Sequence, residues 1–131
     1  MVCITMLSAE ELEQHIRDGI PIAVQMAFKV NDLQPNSIAV IGGGSEYINV
    51  HGTAFAGSLY TICTLALWGL VTSRLPDEAT LVLAQAEIRY RQPIVGNIQA
   101  QCMITQDRMD RFLSVQISAN PIQCCDQVLH H

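Results

Sequence analysis

Polar and apolar positions alternate along this chain with two different periods, and the switches between them outline its elements. In Ser8-Ala9-Glu10-Glu11-Leu12-Glu13-Gln14-His15-Ile16 a serine precedes a glutamate by three positions, and Leu12 and Ile16 fall on one helical face. This spacing predicts a short amphipathic helix opened by a capping box and ending near Gly19. Beyond Pro21 the period shortens to two: Val24, Met26, Phe28 and Val30 share one face of an extended run over 22–30. Residues 31–36 (Asn-Asp-Leu-Gln-Pro-Asn) are expected to turn, and residues 37–41 to form a second strand that Gly42-Gly43-Gly44 stops.

A long loop then leads into residues 55–71, from Phe55 through Trp68 to Val71, a run too long for a strand and without period-two alternation. It is predicted as a helix apolar on every side, and therefore buried on every side. Period two returns in Ala84, Ala86, Ile88 and Tyr90, in Ile98, Ala100, Cys102 and Ile104, and in Leu113, Val115, Ile117 and Ala119. Each set has polar residues between its members, which predicts antiparallel meander strands with one wet face. One helix, two strands, an apolar helix and three further strands make an α+β plan: a hot-dog fold, an antiparallel sheet wrapped around a central hydrophobic helix. A lone curved sheet leaves a strand edge bare, so two subunits are expected to pair as a homodimer, and two dimers could stack into a tetramer.

Composition narrows the function. The chain has 131 residues, 50% hydrophobic and 15% charged, the size and make-up of a single globular domain spanning 1–131. Its net charge is −5, with only 7 lysines and arginines, too few and too scattered to track a phosphate backbone, so no nucleic-acid partner is expected. No Asp, Glu, Lys or Arg occurs between Glu46 and Arg74, which raises the question of a membrane span. Gly52, Thr53, Gly57, Ser58, Tyr60, Thr61, Thr64 and Gly69 interrupt that stretch and amphipathic strands follow it, which favours a buried helix over a membrane one. Five cysteines, two of them adjacent, and a start without a cationic and apolar leader point to reduced thiols in the cytoplasm. Cys124, Cys125, His130 and His131 fit no structural zinc spacing, so no metal is expected; Cys63, in mid-helix without a neighbouring cation, is expected to be core.

The segment Asn49-Val50-His51-Gly52-Thr53-Ala54-Phe55-Ala56-Gly57-Ser58-Leu59-Tyr60, followed by Leu67-Trp68-Gly69, resembles the thioesterase domain of the YiiD C-terminal type, a hot-dog domain found alone or fused to GNAT acetyltransferases. Ile20-Pro21 and residues 83–90 support the resemblance, which covers nearly the whole chain. It implies a thioesterase acting on acyl-coenzyme A or acyl-carrier thioesters, with no cofactor beyond the thioester substrate. It also implies roles: Asn49 matches the asparagine before the central helix, Phe55-Ala56-Gly57 stands where related families carry His-Gly-Gly, and Thr64 falls at the position that often bears an acid. This chain departs from the pattern at Tyr47, where a second asparagine is frequent, and at Leu67, where a glycine is. Family members continue into a further strand with a Gly-Arg-Tyr-Val type ending, so the last strand of the domain is expected to be truncated at His130-His131.

Thioester hydrolysis needs a group that polarises the carbonyl, a positioned water and a proton acceptor. Amides around Gly57 and Ser58 at the start of the apolar helix can supply the first, and the glycine lets a carbonyl approach. Asn49 can hold the water or donate to the acyl oxygen, its plain alternative being a turn residue. Ser58 and Thr64 can order the water, or merely cap and satisfy their own helix. His51 is the candidate base, since no carboxylate lies on the helix; Glu46 and Glu87 are the nearest. Phe55, Ala56, Glu87 and Arg89 are the expected substrate contacts, with Arg89 and Arg91 on one strand face placed to meet coenzyme A phosphates. A non-catalytic thioester binder is the rival reading, and a hot-dog dehydratase, which needs His51 beside Glu46 or Glu87, is the third.

Overall fold

In the computed structural model, which describes residues 6–76, 79–114 and 128–130, helix α1 (Ala9–Gly19) forms where its capping box places it. The Ser8 hydroxyl accepts from the Glu11 amide at 3.1 Å, and the Glu11 carboxylate accepts from the Ser8 amide at 3.3 Å. Leu12 and Ile16, one turn apart, are fully buried, as their spacing predicts.

Pro21 does not release the chain into a strand. It opens a second short helix, α2 (Pro21–Gln25), where its missing N–H is no loss because the first turn has no acceptor for it. Ala27 then takes a left-handed φ of 50°, the Phe28 amide returns to the Ala23 carbonyl at 2.9 Å, and Met26 and Phe28 drop into the core while Val24 stays exposed. Strand β1 (Lys29–Gln34) runs through the expected turn, which shrinks to Pro35 and Asn36. The polar residue Asn31 is absorbed by a register shift between Val30 and Asp32 in the pairing with β2 (Ser37–Gly42), a bulge of the kind that lets a strand continue past a break in its alternation.

The sheet is antiparallel, in the order β1-β2-β3-β4, with β3 (Ile98–Met103) between β2 and β4 (Val128–His130). Val30, Ile38, Val40, Ile98, Ala100 and Cys102 are buried on one face, while Gln99, Gln101 and Met103 point to water. Across that face lies the long helix α3 (Ala56–Thr72), packed on β2 and β3 through Leu59, Ile62, Cys63, Ala66 and Leu70. Gly69 lets α1 pack closely against α3 beside the sheet: a Cβ there would stand 3.2 Å from Ile16 Cδ1, 3.4 Å from Leu12 Cδ2 and 3.6 Å from Ile38 Cδ1 of β2. Together these elements are the mixed, antiparallel hot-dog architecture that the sequence pattern predicts. No helix among the described residues is long and apolar enough to cross a membrane.

One strand predicted late in the chain is not found among the described residues, and the described start of another is helical. Residues 84–90 are exposed apart from the half-buried Ile88 and join no ladder among the described residues, because a pattern of side chains cannot supply a neighbouring backbone. Residues 106–114 fold as helix α4 (Gln106–Ser114), where a loop and the start of a strand at Leu113 are predicted. Thr105 begins it, accepting from Arg108 N at its hydroxyl (3.3 Å) and from Met109 N at its carbonyl (3.0 Å). Met109 is buried and Phe112 and Leu113 pack on the core, a three-to-four spacing that competes with the period-two reading. The rest of that predicted strand, together with Cys124 and Cys125, lies outside the described residues.

Candidate active site at the amino end of helix α3

The connection from β2 to α3 is shaped by glycines and one asparagine. Gly43 and Gly44 take φ values of 96° and 148°, a left-handed region that favours glycine, and Gly43 N donates to Met26 O at 2.7 Å. The loop then doubles back. Asn49 N donates to Thr53 O at 2.8 Å, Gly52 N to Asn49 O at 3.0 Å, and Phe55 N to Tyr47 O at 2.9 Å. Inside this turn the Asn49 Oδ1 accepts from the amides of His51 (2.9 Å) and Thr53 (3.2 Å), and its Nδ2 donates to Thr53 Oγ1 at 2.8 Å. Asn49 is thus a turn-building residue, yet one N–H of its amide has no acceptor among the described residues, and the side chain lines a cleft.

Phe55 caps α3 with its backbone only: its carbonyl accepts from Ser58 N at 2.9 Å and Leu59 N at 3.1 Å. The amides of Ala56 and Gly57 have no acceptor among the described residues, the expected state of a helix start without a side-chain cap. They carry the positive end of the helix dipole. The Phe55 ring, half exposed, lies over Gly57, where a Cβ would fall 2.7 Å from its Cζ.

An open cleft of about 360 Å³ adjoins this helix start. Ala54, Ala56 and Leu59 contribute its apolar lining, and two stretches of chain complete it, one with Asn49, His51 and Thr53 and the other with Tyr90, Arg91, Gln92 and Pro93. No carboxylate lines it among the described residues, although the chain as a whole is acidic.

Of the residues singled out from the sequence, the structure brings Asn49, His51 and Ala56 to the cleft, with Gly57 in the adjoining turn of helix. Ser58 is buried and its hydroxyl donates to Phe55 O at 2.6 Å, so it faces the helix entry and not the cleft. Thr64 donates to Thr61 O at 2.9 Å, two turns further along. Phe55, Glu87 and Arg89 do not line the cleft, and neither Glu46 nor Glu87 joins His51 there, which leaves the dehydratase pairing without its acid. Thr53, Tyr90, Gln92 and Pro93 are site residues that sequence reasoning missed, and Arg91 lines the cleft without its strand-face partner Arg89. Thr53 carries a local signal, four residues after Asn49 in a glycine-containing turn; Tyr90 carries none, because tertiary packing brings it to the helix start.

The chain belongs to the family described as "Putative thioesterase (yiiD_Cterm)", which it matches over residues 9–119. Among solved structures it is similar to a protein of unknown function from Chlorobaculum tepidum TLS, with 26% identity, a TM-score of 0.72, and coverage of 81% of this chain and 68% of that one. It is also similar to the "putative thioesterase" from Shewanella oneidensis, at 28% identity and TM-score 0.66, covering 79% and 76% of the two chains. A "probable thioesterase" from Pseudomonas aeruginosa shares the fold at 20% identity and TM-score 0.68, covering 82% and 73%.

Proposed function

We propose that this protein hydrolyses acyl thioesters of coenzyme A or of an acyl-carrier protein, without a cofactor. The observation that carries the reading is the cleft at the start of α3, where the amides of Ala56 and Gly57, without an acceptor among the described residues, adjoin the apolar lining of Ala54 and Leu59. A thioester carbonyl seated there meets the positive end of the helix, which stabilises the oxyanion as it forms. The remaining N–H of Asn49 orients the attacking water or the acyl oxygen, and His51 is the lining group that can accept the water's proton. Attack forms the carbon–oxygen bond, the carbon–sulfur bond breaks, and the thiolate takes up a proton to leave as free thiol. Arg91, an exposed residue of the cleft lining, can meet a phosphate of the carrier.

The active unit is a homodimer with two equivalent sites, and two dimers can stack into a tetramer. Asn49 and Gly57 come from one subunit, and the exposed, ladder-free stretch around Glu87 and Arg89 offers its backbone and side chains to the other. One observation favours the rival binding function, the lack of a carboxylate among the described residues that line the cleft. Free-thiol release from a panel of short, long and aromatic acyl-coenzyme A substrates separates the two. Turnover on any of them supports hydrolysis; saturable binding without turnover across the panel favours the binder.

A further inference from the structure

Segment 79–93 runs from the carboxyl end of α3 to its amino end, and little fixes it there. Among the described residues, its backbone from Thr80 to Pro93 makes no hydrogen bond with other backbone, and residues 82–87 are exposed. The Trp68 indole donates to Leu81 O at 2.8 Å, and Leu81 and Ile88 rest on the core. At the other end the Tyr90 hydroxyl donates to Ala56 O at 3.0 Å, and shortly after it Ala54 N donates to Ile94 O at 2.7 Å.

Tyr90 and Ala56 both line the cleft, so this hydrogen bond joins its loosely held side to the first residue of the helix. Tyr90 as a residue is 51% exposed, so it stands at the edge of the packed core. The apolar lining from the helix side is small or aliphatic, Ala54, Ala56 and Leu59, and the phenol ring is the bulkiest side chain that lines the trough.

The geometry points to Tyr90 as the residue that decides which acyl groups the cleft accepts: its ring is a wall of the trough and its hydroxyl holds that wall against α3. The inference rests on reading the cleft as an acyl-thioester site. An acyl chain binds by apolar contact, so removing the ring opens room for longer or bulkier chains. Removing the hydroxyl alone keeps the wall's shape and releases its anchor. Tyr90 is therefore a specificity and positioning residue, acting through the helix start and not on the reacting atoms.

The test uses the purified chain and a series of non-hydrolysable S-alkyl coenzyme A thioethers of increasing length, titrated calorimetrically beside kcat/KM for the matching acyl-coenzyme A thioesters. Tyr90→Ala is expected to move the long-to-short preference toward long chains by roughly tenfold, the scale of a changed hydrophobic pocket. Tyr90→Leu should give an intermediate ratio. Tyr90→Phe should keep the wild-type ratio while weakening binding and raising KM several-fold at every length. An unaltered chain-length profile in Tyr90→Ala overturns the inference. Thioethers bound with the expected shift but no hydrolysis by any variant would uphold Tyr90 and defeat the thioesterase reading, and no thioether binding by the wild type would defeat both.

Discussion

The two sides of the cleft are built by different means. The side from Asn49 to Ala54 is braced within itself, since Asn49 and Thr53 share side-chain and backbone hydrogen bonds and Ala54 is buried beneath them. It also runs directly into α3, which is seated on β2 and β3. Among the described residues the side from Tyr90 to Pro93 shows no hydrogen bond within itself and is positioned by one phenol hydroxyl and by Ile94 next to it. A rigid side can hold donors at a fixed distance from a reacting carbonyl, which transition-state stabilisation demands. A tethered side can adjust to the ligand, and weakly held segments are where binding loops are commonly drawn from. The polar groups suited to catalysis, Asn49, His51 and the helix amides, all belong to the rigid side.

The strongest way to break this contrast is to unseat the helix that the rigid side depends on. Ile62 is fully buried in α3, and its side chain occupies the space that a Cβ at Gly42 would need. Ile62→Ala is expected to cost about 2–5 kcal/mol, the range for emptying a core position. Val82→Ala, in the other segment and 82% exposed, should change stability by less than about 0.5 kcal/mol. Chemical denaturation of both variants checks the pair; equal losses would mean that segment 79–93 is as integral to the fold as α3.

Asn49 sharpens the contrast further, because its two ends do different things. Asn49→Asp keeps the oxygen that accepts from His51 N and Thr53 N but loses the N–H groups. Thr53→Val keeps the Asn49 amide and removes only the brace at Thr53 Oγ1. Given activity on the acyl-coenzyme A panel, Asn49→Asp should lower kcat by on the order of a hundredfold, as for one lost transition-state donor. Thr53→Val should destabilise by about 1 kcal/mol while lowering kcat less than tenfold. Matching losses of kcat in the two variants would reduce Asn49 to a turn residue.

The same division governs what the sequence could reveal. The rigid half is written in local patterns: the capping box at Ser8 and Glu11, the all-apolar run of α3 and the alternation of β3 each depend on neighbours a few residues away. Asn49 and His51 were legible because they sit in the loop that precedes the helix. Pro21 was misread because a proline fits the first turn of a helix as well as it fits an extended run, and only the burial of Ala23 decides. At residues 84–90 neither the strand nor its alternation of burial is found, with Ile88 alone half-buried, since a ladder partner and a core to face are properties of the whole fold. Tyr90 escaped for the same reason: nothing within several residues of it marks a hydrogen bond to Ala56, far back along the chain.

The smallest effect concerns the other end of the tethered segment. Trp68 stacks on His15, the two ring planes 2° apart with centroids 6.2 Å from each other, and its indole N–H separately holds Leu81 O. Trp68→Phe keeps an aromatic ring in the stack and removes the N–H, which isolates the tether. A loss of about 1 kcal/mol in holding the segment raises the population of its open form about fivefold. Arg89 and Arg91 are exposed trypsin sites within that segment, and cleavage of a rapidly opening segment follows the open population. Nicking after Arg89 or Arg91 should therefore accelerate about fivefold in Trp68→Phe, with the thermal unfolding midpoint lowered by only a few degrees. An unchanged nicking rate would show that something other than Trp68 restrains the segment. Concentration dependence of the rate would then identify the restraint, because nicking that slows as the protein is concentrated is the signature of cover by a second subunit.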